Sequence, residues 1–140
     1  MNAKVNDIMV ANVLTAKPDE TIGMVRKRIL KKNVHCLPVI DVEEHPVGII
    51  TSSDFMESVD DETLVSDVMT EKVYSVPRYD DVHVAARIMR NHKIHHVVVT
   101  HEQKVSGIIS SFDLLELVEE HRFMIKNSPP ESKRRAAKRV

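Results

Sequence analysis

Apolar residues recur at helical spacing twice along the chain. Ile22, Val25, Ile29 and Leu30 lie on one predicted helix face, and Val82, Ala85, Met89 and Arg90 repeat the spacing with three of the four positions apolar. Each stretch leads into a short apolar run, Val34-His35-Cys36-Leu37-Pro38-Val39 and Ile94-His95-His96-Val97-Val98-Val99, that predicts a buried strand. A polar turn follows, one residue longer in the first copy, and then Gly48-Ile49-Ile50-Thr51-Ser52-Ser53-Asp54 is matched by Gly107-Ile108-Ile109-Ser110-Ser111-Phe112-Asp113. Ahead of the helices, Val5-Asn6-Asp7-Ile8-Met9 reappears as Val65-Ser66-Asp67-Val68-Met69, and Val13-Leu14-Thr15 as Val73-Tyr74-Ser75. The chain is therefore a duplication, and each copy predicts the order strand, helix, strand, strand, helix.

A unit of about 60 residues buries too little surface to be secure alone. The two copies are thus expected to pack on each other as an α/β (α+β) fold, their sheets meeting around a pseudo-two-fold axis, with clefts where equivalent strand ends face each other. The first repeat is placed at 1–60, with the acidic connector Glu57-Ser58-Val59-Asp60-Asp61-Glu62-Thr63 around its end, and the second at 61–126. Residues 127–140 form a tail, because Asn127-Ser128-Pro129-Pro130 halts regular structure.

Composition narrows the partners. With 42% hydrophobic residues in 140, the chain supports one globular unit, and a net charge of -1 removes a general electrostatic case for nucleic acid or a membrane. The tail is locally basic, with Lys133, Arg134, Arg135, Lys138 and Arg139 against Glu131. It has no aromatic residue to stack on bases and reads as a solvated extension. The lone Cys36 forms no internal disulfide, and no long apolar stretch suggests a signal peptide or a span, so a cytoplasmic location is expected. Beside Leu37, Cys36 reads as a small buried hydrophobe.

Candidate chemistry sits in the repeated Gly-Ile-Ile-(Thr/Ser)-x-x-Asp segment. A hydroxyl followed three residues later by an acid, where a strand enters a helix, is a capping box, and that structural role alone explains the pattern. The same geometry also suits a ligand, since amides at a helix start favour phosphate and a nearby carboxylate accepts two hydrogen bonds from a ribose diol. Gly48 and Gly107 leave room for close approach of another group. Ile50 and Ile109 are placed to offer an apolar contact to a flat base.

The order and duplication of these elements, the Asp-(Ile/Val)-Met opening, the helix, the His-x-(Leu/Val)-(Pro/Val)-Val strand and the closing Gly-Ile-Ile-(Thr/Ser)-x-x-Asp, resemble a tandem CBS pair, or Bateman module, over roughly residues 5–120. The resemblance implies a stand-alone regulatory module that binds an adenosine derivative such as AMP, ADP, ATP, S-adenosylmethionine or cyclic di-AMP between the copies, with no required cofactor. It also implies a homodimer that signals through an unidentified effector protein or an oligomer change. By position, Asp54 and Asp113 would hold ribose hydroxyls, and Thr51 and Ser110 would face phosphate. Leu37, Pro38 and Val39, Val97, Val98 and Val99, and Thr15, Ala16, Ser75 and Val76 would frame the adenine.

One departure bears on the ligand. Members of this family that bind polyphosphates often carry Arg directly after the strand's histidine, where this chain has Cys36 and His96. His96 supplies that charge only in part near neutral pH, which points to a ligand with few phosphates. Lys31, Lys32, Arg90 and Lys93 can compensate or serve as solvated helix ends. The resemblance to a binding module is matched by the lack of enzyme signatures: no G-x-x-x-x-G-K-[ST] or G-x-G-x-x-G loop occurs, and the chain has 3 glycines in all. His92, His95 and His96 suggest a metal, but the strand beginning at Ile94 would send His95 and His96 in opposite directions. The competing functional class is a dimeric protein-interaction module with no small-molecule ligand.

Overall fold

The computed structural model describes residues 3–30, 34–55 and 59–125. Lys31, Lys32, Glu57, Ser58, the tail 127–140 and the side chain of Leu30 lie outside the described residues. The first copy runs through α1 (Val5–Ile8), β1 (Val10–Ala11), α2 (Ile22–Leu30), β2 (Cys36–Ile40), β3 (Pro46–Thr51) and α3 (Ser52–Phe55). The second runs through α4 (Val65–Val68), β4 (Ser75–Pro77), α5 (Val82–His92), β5 (His96–His101), β6 (Lys104–Ser110) and α6 (Ser111–Ile125).

The periodicity of the two long helices has the expected consequence. Ile22, Val25 and Ile29 are buried on α2, and Val82, Ala85 and Met89 on α5, whereas Arg90 is exposed. Helix α5 ends where Lys93 turns into the left-handed region (φ 55°) and its amide reaches back to the Met89 carbonyl. In each copy the two apolar strands form an antiparallel pair, β2 with β3 and β5 with β6, and both pairs carry a bulge at the same place, after Val39 and after Val99.

The copies are joined by exchange of their opening elements. One core gathers Ile22, Val25, Ile29, Leu37, Val39 and Ile50 of the first copy around Val65 of the second. The other gathers Val76, Ala85, Met89, Val97, Val99 and Ile109 around Val5 of the first. Val5 and Val65 are both 0% exposed, so each copy closes its partner's core with a side chain worth about 1.5–3 kcal/mol of burial. The backbone follows the same exchange. β1 pairs with β6 to complete a four-stranded sheet in the order β1-β6-β5-β4, and Thr70 bridges Ile49 on the edge of the β2-β3 sheet. The expectation that the copies share their packing is met, and the sharing is reciprocal.

One expectation changes and another is sharpened. The opening strand of the first copy reduces to a single parallel bridge, Ala16 with Val39, where the second copy has the strand β4. The two motif glycines have ordinary backbone angles, so neither makes a special turn. They are small because the opposite copy presses on them. A Cβ at Gly48 would lie 2.5 Å from Met69 Sδ, and one at Gly107 would lie 2.6 Å from the Val10 carbonyl oxygen and 2.8 Å from Met9 Sδ. The Asp-(Ile/Val)-Met and Gly-Ile-Ile motifs are thus the two halves of one contact, made twice.

Candidate functional site

The second Gly-Ile-Ile-(Thr/Ser)-x-x-Asp segment builds the full reciprocal cap expected of it, and the first builds the half in which the acid accepts from the hydroxyl residue. The Thr51 amide donates to Asp54 Oδ2 at 2.8 Å and the Thr51 hydroxyl donates to the same oxygen at 3.1 Å. In the second copy the Ser110 amide and hydroxyl donate to Asp113 Oδ2 at 2.8 and 3.0 Å, and the Asp113 amide donates back to Ser110 Oγ at 3.2 Å. The following amides are taken as well, Ser52 by the His35 carbonyl and Ser111 by the His95 carbonyl, at 2.8 and 2.9 Å. Within each carboxylate, Oδ2 serves the cap and Oδ1 accepts no hydrogen bond from the described residues.

Above each cap opens a cleft. The first, of about 340 Å³, is lined by Ile108, Ser110 and Asp113 from the second copy, by Val10, Asn12, Val13, Leu14, Val34, His35 and Cys36 from the first, and by His96. The second, of about 420 Å³, is lined by Ile49, Thr51, Ser52 and Ser53 from the first copy, by Thr70, Lys72, Tyr74, Ile94, His95 and His96 from the second, and by His35. The linings correspond position by position under the duplication: Val10 with Thr70, Asn12 with Lys72, Leu14 with Tyr74, Val34 with Ile94, and Ser110 with Thr51. Both volumes lie in the range of small-molecule sites, and His35 and His96 border both clefts.

Of the residues picked from sequence, Thr51, His96, Ser110 and Asp113 line these clefts, and Asp54 is hydrogen-bonded to Thr51. The others are placed differently. Ala16, Leu37, Val39, Ile50, Val76, Val97 and Ile109 have their side chains in the two cores, at most 1% exposed, and Pro38 and Val98 are buried in their strands. None of these residues is among those lining the two clefts. Alternation along a strand is the reason: Ile49 and Ile108 face the clefts, so Ile50 and Ile109, one position on, face the cores. Thr15 borders a third cavity with Ile40, Glu44 and Ser106, and its carbonyl accepts from Arg28 Nη1 at 2.8 Å. Ser75 is exposed on β4.

Sequence reasoning passed over Asn12, Leu14, Lys72 and Tyr74, which lie on the connections into the opening strands. Their signal was present as register, since Asn12 and Leu14 sit in the same frame as Lys72 and Tyr74. Tyr74 stacks on His92 with ring centroids 4.0 Å apart, and Lys72 Nζ lies 5.8 Å from the Tyr74 ring centre. The cation looked for at Cys36 and His96 is supplied to the second cleft by Lys72. Burial, with the Asp54 charge, pushes the Cys36 thiol up to about 12, so it is a neutral apolar group as expected. Burial, followed by the neighbouring His95, lowers the His96 pKa and favours its neutral form. Against the expectation of opposite directions, His95 and His96 both border the second cleft; His92 stacks on Tyr74, and His95 Nδ1 lies 3.3 Å from Ser111 Oγ.

Comparison with known proteins identifies the arrangement. The family model described as CBS domain matches the chain twice, over residues 5–61 and 65–120. This chain belongs to the CBS domain family. Its CBS pair is similar to that of protein MJ0100, solved in complex with 5′-methylthioadenosine and S-adenosyl-L-methionine: 28% identity, TM-score 0.78, covering 86% of this chain and 99% of that one. It is also similar to the CBS domain of a CBS domain containing membrane protein from Sphaerobacter thermophilus, at 30% identity and TM-score 0.76 over 83% of this chain and 88% of that one. Among curated proteins, the inosine-5′-monophosphate dehydrogenase of Methanocaldococcus jannaschii is 30% identical over 115 residues, 81% of this chain. The CBS pair spans 23% of the dehydrogenase's length. An uncharacterized 17.7 kDa protein of Acidianus ambivalens is 33% identical, with 81% of this chain and 72% of that one covered. Among the described residues no helix is long and apolar enough to cross a membrane, and no three His, Cys, Asp or Glu side chains are grouped to hold a metal ion.

Proposed function

We propose that this CBS pair is a regulatory ligand sensor that binds an adenosine derivative of the AMP, ADP, ATP or S-adenosylmethionine class between its repeats and acts through an effector protein or a change of oligomer, without catalysis. The observation that carries the reading is the twofold cleft beside the two capping acids: Asp113, whose Oδ1 accepts no hydrogen bond from the described residues, lines the first and is suited to a ribose diol, and Asp54 is bonded to Thr51 on the lining of the second. The similarity to the MJ0100 pair, solved with two adenosine compounds, supports it. Because the clefts lie where the exchanged elements meet, a ligand there bears on the packing of both copies.

A thermal-shift and calorimetry series with AMP, ADP, ATP, S-adenosylmethionine, NADH and cyclic di-AMP tests this. At a hundredfold excess over Kd a ligand adds about 2.7 kcal/mol to stability, enough to raise Tm by several degrees. Asp54→Ala or Asp113→Ala should weaken binding by about 1.5–3 kcal/mol, the worth of hydrogen bonds to a charged acceptor. A flat response to the whole panel at millimolar ligand would remove the sensor reading. It would favour the interaction module, for which the exposed stripe of Phe112, Leu115 and Val118 on α6 is a ready surface.

A further inference from the structure

The two clefts share a plan and differ in charge. Asn12 borders the first where Lys72 borders the second, and Leu14 stands where Tyr74 does. Among the described residues, the first cleft's lining includes the carboxylate of Asp113 and no lysine or arginine. The second cleft's lining includes Lys72 and the hydroxyls of Thr51, Ser52 and Ser53, with no carboxylate. The corresponding acid, Asp54, accepts from the Thr51 amide and hydroxyl and is not among the residues that line the cleft. An ammonium in a cleft that also presents the Ser52 and Ser53 hydroxyls attracts a dianionic phosphate, while a carboxylate in a half-apolar cleft repels one and accepts from neutral hydroxyls. The second cleft is also the larger, about 420 against 340 Å³, and its tyrosine gives a base an aromatic neighbour.

Resting on the adenosine-sensor reading, we propose that the clefts are divided by ligand charge: the Lys72 cleft takes a phosphorylated adenosine compound, and the Asp113 cleft takes an adenosine compound that carries no phosphate. The division lets one molecule compare two related metabolites, because His35 and His96 border both clefts and a ligand in either one touches the wall of the other.

Calorimetry on the full chain with AMP and with 5′-methylthioadenosine as probes tests the division. Both probes should bind the unaltered protein, AMP more weakly as salt is raised and 5′-methylthioadenosine indifferent to it. Lys72→Gln should weaken AMP by about tenfold or more and leave 5′-methylthioadenosine unchanged. Asn12→Lys, which places the cation in the first cleft, should add a second AMP site and so tests the idea by gain of binding. AMP affinity that is unaltered in Lys72→Gln, or equal losses for both probes, would overturn the division while leaving adenosine sensing in place. Failure of both probes to bind the unaltered chain would overturn the sensor reading itself.

Discussion

Met9 and Val10 press on Gly107, and Met69 presses on Gly48, yet the two seats differ in what meets the glycine. At Gly107 the nearest atom is a backbone carbonyl oxygen, fixed because Val10 and Ala11 pair with Ile108 and Gly107 as the edge of a four-stranded sheet. At Gly48 the near atoms all belong to the Met69 side chain, and the backbone contact is the single Thr70 bridge. One duplicated contact has thus become a rigid sheet edge in one place and a side-chain plug in the other. A repeat keeps the chemistry of a junction and is free to vary its stiffness.

Exchanging the glycines measures that difference. Gly107→Ala forces β1 away from β6 and should cost about 2–3 kcal/mol, whereas Gly48→Ala asks only that a flexible thioether shift and should cost about 1 kcal/mol. Urea unfolding of the two variants gives both values. Equal costs would mean that β1 yields as readily as a methionine side chain, and the sheet edge would lose its standing as the rigid seat.

The contact also marks how far the sequence could be read. Duplication, the faces of α2 and α5, the buried strands and the two caps were all legible, because each follows from local spacing: Ile22, Val25 and Ile29 announce a face wherever that face packs. What they pack against is not local. Val5 and Val65 carry no mark that they serve the opposite copy's core. The cleft linings failed for a simpler reason. Strand parity is read from alternation, and the pairs Ile49-Ile50 and Ile108-Ile109 have none, so the residue facing the ligand space could not be told from the one facing the core. The strand Val97-Val98-Val99 hides its parity in the same way. Lys72 lies outside the repeated motifs, and Tyr74, though inside the repeated Val73-Tyr74-Ser75, stands opposite an unlike Leu14; both sit on connections whose course depends on the exchange.

A pH series separates the copies where Cys36 and His96 occupy corresponding positions. Cys36, held near 12, does not ionise in the range where the protein is handled. His96 has its folded pKa lowered from 6.5 by burial and by His95. Above pH 6.5 the imidazole is neutral in both folded and unfolded chains and contributes nothing to the pH dependence. As pH falls below 6.5 the unfolded chain takes up the proton more readily, so stability declines until the folded pKa is passed. His96→Gln should flatten Tm against pH in that window, and Cys36→Ala should leave the slope unchanged. Lower still, Glu20 adds a separate decline: hydrogen bonds from Arg28 hold its folded pKa below 4.5, so its stabilisation is present above that value and lost as pH falls through the folded pKa. A slope below pH 6.5 that persists in His96→Gln would place the titrating group elsewhere.

The smallest effect concerns the two hairpins. β5 and β6 are joined by Glu102 and Gln103 alone, both left-handed at φ 53° and 70°, the backbone of a tight turn that favours Asn-Gly. The longer first-copy turn has one such residue, Glu44 at 68°. Its shape is held by the Asp41 carboxylate, which accepts from the Glu43 and His45 amides at 2.9 Å each. Left-handed angles cost an ordinary residue about 1–2 kcal/mol, and glycine returns part of that gain through its freer unfolded chain. Glu102→Asn with Gln103→Gly should therefore stabilise the protein by about 1 kcal/mol, and Glu44→Gly by about half as much, read as shifts in the urea midpoint. Equal gains at the two turns would show that the count of left-handed residues does not set the gain.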